Sequence, residues 1–67
     1  MSESRFQQYR KAVEQAVSEY YARLTGMELS TREVRAIVAR HPGMVVWRYC
    51  RRDDPETTGR AIVEAEI

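Results

Sequence analysis

Residues 43–50, Gly-Met-Val-Val-Trp-Arg-Tyr-Cys, decide how this chain folds, because the same letters can be read at two periods. At a period of two, Val45, Trp47 and Tyr49 alternate with Val46, Arg48 and Cys50, and β-branched and aromatic residues dominate, which predicts a strand. The segment Asp53-Asp54-Pro55-Glu56-Thr57-Thr58-Gly59 that follows has turn chemistry. Arg60 to Ile67 then resumes alternation, with Ala61, Val63, Ala65 and Ile67 on one side. A hairpin accounts for both runs. In the register that sets Trp47 opposite Ala65, Tyr49 opposite Val63 and Val45 opposite Ile67, large residues meet small ones and Arg48 meets Glu64.

Working outward from the hairpin, residues 29–43 spell a helix with both ends marked. Ser30 and Glu33 form a capping-box pair, and Leu29 with Val34 can close a hydrophobic staple over the first turn. Arg40 and His41 suit the negative end of the helix, and Pro42-Gly43 ends it. Further upstream, Phe6, Tyr9, Val13, Ala16, Val17, Tyr20 and Leu24 fall on one face of a helix from Arg5 to Leu24, stopped by Thr25-Gly26. The reading is an α+β fold: one small domain over 1–67, two helices followed by an antiparallel β-hairpin in the order α-α-β-β. Its last strand presents an open edge, which a second copy in a homodimer or another partner would cover.

Composition narrows the function classes. Eleven basic against ten acidic residues leave a net charge of +1, so no global field draws the molecule to nucleic acid or membrane. A single Cys50 excludes an intrachain disulfide, and with only His41 beside it the chain cannot build a Cys/His zinc site alone. No apolar run reaches the ~20 residues that span a bilayer, and the N-terminus lacks the order of a signal peptide, so the expected location is cytoplasmic.

Motifs for catalysis are missing. Cys50 and His41 lack an orienting third residue, and they read instead as a small strand residue and a helix-terminal cation. Asp53, Asp54 and Glu56 lack the glycine and terminal glutamate of a calcium loop and read as a solvated turn. Gly26, Gly43 and Gly59 stand singly, so no loop cradles a phosphate. The expectation is a non-enzymatic module with no cofactor and no metal.

Binding surfaces are the remaining possibility. Tyr21 lies off the apolar stripe of the first helix, Met27 and Met44 flank helix ends, and Arg32, Arg35, Arg48, Arg51 and Arg52 crowd the C-terminal half. Interfaces favour tyrosine and arginine, so these six Tyr and Arg positions are the expected contacts with a protein partner. In size and class the chain resembles small inhibitors and adaptors of phages and mobile elements, which act by occupying another protein's surface. The alternative is a small DNA-binding regulator: Arg32 and Arg35 share a face with Ala36 and Ala39, and the hairpin carries Arg51, Arg52 and Arg60. That capped helix and hairpin together resemble part of a winged-helix arrangement, over those two elements only and without a third helix.

Overall fold

The computed structural model describes residues 4–67, and among them every regular element is a helix. Helix α1 spans Arg5–Thr25, α2 Thr31–Ala39, α3 Pro42–Cys50 and α4 Pro55–Glu66. The expected hairpin is absent. Its first strand is α3 and its second is most of α4, so the α-α-β-β reading is overturned, together with the Trp47/Ala65 register and the open edge that argued for a homodimer.

The N-terminal two helices agree closely with their sequence signals. Ser4 caps α1 by accepting from the Gln7 backbone N–H at 3.1 Å, while the Gln7 side chain accepts from Ser4. The box predicted at α2 is present: the Ser30 hydroxyl accepts from the Glu33 backbone N–H at 3.2 Å, and Glu33 Oε1 accepts from Ser30 N–H at 3.3 Å. Gly26 closes α1 at φ 73°, a left-handed position where a side chain would strain the backbone. Along the α1 stripe Val13, Ala16 and Val17 are buried, but Leu24, in the last turn of the helix, is 52% exposed.

The helical state of α3 and α4 follows from their starts. Pro42 and Pro55 each occupy the first turn, where a missing N–H costs nothing. Asp54 caps α4, its carboxylate accepting from Glu56 N–H at 3.0 Å. The Asp-Pro-Glu sequence that reads as a turn is thus a helix start. At the other end of α3, Arg52 N–H donates to the Tyr49 carbonyl and Asp53 N–H to the Arg48 carbonyl, with Arg52 left-handed at φ 60°. This is a Schellman stop, which reverses the chain into α4.

The core lies between α1 and α4, with α2 and α3 closing its sides. Val13, Val17, Val34, Ile37, Val38, Val45, Ile62 and Val63 form one buried cluster. Contacts between α1 and α4 run from Tyr9 with Thr58, through Ala16 with Gly59, to Tyr20 with Glu64. The Tyr9 hydroxyl lies 2.7 Å from Thr58 Oγ1, satisfying a threonine that is fully buried. Phe6 and Tyr9 each hold their ring centroids 5.2 Å from that of Tyr49, fastening α3 to α1. No described helix is long and apolar enough to cross a membrane.

Candidate functional site

Helix α3 is amphipathic in an unusual sense, since both of its faces carry apolar residues. Val45 is buried and Met44, Arg48 and Tyr49 are half-buried on the inner side. The outer side presents Val46, 49% exposed, and Trp47, 55% exposed, with Cys50 one turn further on. A tryptophan and a valine standing side by side, each about half exposed, forfeit part of the roughly 1.5–3 kcal/mol that full burial of such a side chain gives.

A groove opens beside that face. It has a volume of about 290 Å³ and is floored by Phe6 from α1, Val38 and Ala39 from α2, and Pro42, Val45 and Val46 from α3, with Arg10 at its edge. Arg10 also lines a second, more polar depression with Gln7, Lys11, Glu14 and Arg35, so the two hollows adjoin. The Arg51 guanidinium lies over the Trp47 ring, 4.5 Å from its centroid. This contact braces the indole while leaving more than half of the residue in solvent.

Charge is distributed unevenly about this face. Residues 34–52 contain Arg35, Arg40, Arg48, Arg51 and Arg52 and no acid, in a chain whose total is only +1. Two of the five are answered from elsewhere. Glu66 of α4 accepts from Arg40 Nε and Nη2, both at 3.0 Å, and lies 2.9 Å from His41 Nε2. Hydrogen bonds from Arg40 and then His41 hold the Glu66 carboxyl below the usual carboxylate range, and Glu66 in turn raises Arg40. Arg48 Nη1 lies 3.6 Å from Asp53 Oδ2, while its Nε is buried without a hydrogen-bond partner. Arg35, Arg51 and Arg52 stay exposed.

The six residues expected to meet a partner are therefore dispersed. Tyr21 is half-buried and packs against the core, lining a different hollow with Leu29 and Ile37. Arg32 and Arg35 are exposed on α2, together with Ala36 and Ala39. Arg48 is tied to Asp53 instead of facing Glu64, Arg51 braces Trp47, and Arg52 holds the turn. Reading the segment as a strand placed Trp47 in the core, and that hid the outer face of α3. Two sequence signals point to it: Val46-Trp47 adjoin at positions that a helix rooted on Val45 and Tyr49 must turn outward, and residues 34–52 lack acids.

His41 and Cys50, the pair weighed as a base and a nucleophile, are not brought together. His41 caps the start of α3 and Cys50 ends it, so the helix itself separates them by about 12–14 Å. Asp53 and Asp54 serve an ion pair and a cap, and among the described residues no three His, Cys, Asp or Glu side chains gather as metal ligands. Comparison with family models, with curated proteins and with solved structures finds no match to the chain.

Proposed function

We propose that this protein is a non-enzymatic binding module that acts by occupying the surface of a partner protein, as a small inhibitor or adaptor does. The single observation behind this reading is the exposed Val46-Trp47 pair on α3, braced by Arg51 and set beside an apolar groove. Tryptophan and arginine are the residues that most often carry interface energy, and water-facing apolar area on so small a chain is released when a partner covers it. The expected contact set moves accordingly from Tyr21, Arg32 and Arg48 toward Val46, Trp47, Arg51 and the groove. Copurification of tagged protein from its native cell, with nuclease treatment before elution, tests the reading. One defined protein retained by the wild type and lost with Trp47→Ser supports it; equal retention by both refutes this face as the site.

A second reading is binding of DNA through Arg32 and Arg35, which are exposed on α2 beside the small residues Ala36 and Ala39. It no longer has a basic hairpin to act as a wing. Affinity for random duplex that falls steeply with salt, and a shallower slope in the Arg32→Ala, Arg35→Ala double variant, would favour it, since each phosphate contact adds about 0.9 to that slope.

A further inference from the structure

Resting on the protein-binding reading, we infer that the groove beside Val46 receives the apolar ridge of an amphipathic helix whose flanking residues are acidic. The shape comes first. Three helices contribute to the floor, through Phe6, Val38, Ala39, Pro42, Val45 and Val46, so the hollow is a trough between rods, the form into which a helix ridge packs. A volume of about 290 Å³ has room for one or two large side chains of such a ridge.

Charge then chooses the occupant. The groove's own charge is Arg10, and the depression that adjoins it through Arg10 adds Lys11 and Arg35, with Glu14 as the one acid among the described residues that line it. Glu14 and Arg10 pair with each other at 3.6 Å, so three bases stand against one acid along this edge. A second copy of this chain is a poor fit, because a two-fold contact over this groove sets an edge richer in bases than acids against its own copy. Single-stranded nucleic acid fits this groove less well, because its floor is largely aliphatic, whereas unstacked bases need an open aromatic surface. Acidic residues flanking an apolar ridge complement both features at once.

Trp47 is the sole tryptophan, so its emission reports directly on the face. The probe is a displayed library of helical peptides of about 15–20 residues, long enough to hold a helix. Selection on the full chain is expected to enrich peptides with apolar residues at i, i+3 or i+4 and i+7 and a net negative charge, and these should shift Trp47 emission saturably. Ala39→Glu, at an exposed floor position, should weaken them by about tenfold or more, the effect of a lost interface anchor. Arg10→Glu should turn selection toward lysine-bearing peptides, with circular dichroism confirming that both variants remain helical. Basic or charge-indifferent winners overturn the inference. So does an emission response to single-stranded DNA in place of peptide, or a concentration-dependent dimer that buries Trp47. If peptides fail while Trp47-dependent copurification persists, the inference falls and the protein-binding reading stands; if both fail, that reading falls as well.

Discussion

Gly59 of α4 lies so close to α1 that a Cβ built on it would sit 2.6 Å from the Cβ of Ala16 and 3.0 Å from the backbone nitrogen of Val17. A glycine that reads as part of a turn is instead the contact that lets the two principal helices approach. Gly59→Ala gains helix propensity of about 1 kcal/mol, yet it must push apart two helices whose backbones already touch. Overpacking of this kind costs about 1–3 kcal/mol, and the backbone nitrogen cannot swing aside, so the upper part of that range applies and urea denaturation should show a net loss of up to about 2 kcal/mol. Gly43, in the first turn of α3, has nothing within 4 Å of its virtual Cβ. Gly43→Ala should therefore raise stability by about 0.4–1 kcal/mol, the opposite sign for the same chemical change.

Arg52→Gly should also stabilise. Arg52 holds φ 60° at the position of the α3 stop that glycine favours, and a non-glycine residue there costs roughly 1–2 kcal/mol. The thermal midpoint should rise for Arg52→Gly and fall for Arg52→Val, whose branched side chain tolerates that conformation least. A drop with glycine would show that the Arg52 side chain contributes more than its backbone costs.

Glu66 makes stability depend on acid. Its folded-state pKa is lowered by the hydrogen bonds from Arg40 and then His41, so the contribution is complete above the unfolded carboxyl pKa and fades as pH falls through the lower folded value. Because the pair is solvent-exposed, the effect is small and weakens with salt. Titrating the denaturation midpoint from about pH 6 to about pH 3, across the ordinary glutamate value of about 4.3, should show a smaller acid loss in Glu66→Gln than in the wild type. Identical slopes would mean that Glu66 anchors nothing.

Aspartate introduced at two valines should separate folding from binding. Val13 is fully buried, and an unpaired carboxylate there should cost upwards of about 3 kcal/mol and can unfold a domain of this size. Val46→Asp, at a half-exposed position, should change stability by no more than about 0.5 kcal/mol while abolishing partner capture. Far-ultraviolet circular dichroism with melting, beside the copurification assay, reads both. A Val46→Asp protein that melts far below wild type would place that side chain in the core instead.

The misreading of residues 44–50 has a definite cause. Val45 and Tyr49 are four apart, so they share a face at a period of two and also at 3.6; Trp47, midway between them, distinguishes the cases, inward in a strand and outward in a helix, and Arg48 does so in the opposite sense. Seven residues are too few for periodicity to decide, and β-branched composition tipped the reading toward strand. The C-terminal run held better clues. Asp54-Pro55-Glu56 is a cap, a first-turn proline and a first-turn acid, and Ala61, Glu64, Ala65 and Glu66 are stronger helix than strand formers. Read at 3.6, Thr58, Gly59, Ile62 and Val63 fall on one side, and these are the residues buried.

What the sequence by itself determined were the features written in neighbouring residues: the α1 stripe, the Ser30-Glu33 box, the Gly26 stop, and the local crowding of arginine. Caps and stripes are legible because their partners lie three or four positions away, and a helix must bring those together wherever it sits in the fold. Tertiary structure decided the rest. The state of α3, the close seat of Gly59 on Ala16, the bridge from Glu66 to Arg40 and the exposure of Trp47 each join residues distant in sequence, or depend on which face the rest of the chain covers. For α3 in particular, intrinsic preference differs by only a few tenths of a kcal/mol per residue, less than packing Val45 and Tyr49 against α1 and α4 supplies, so the core chose the helix and with it turned Trp47 to the surface.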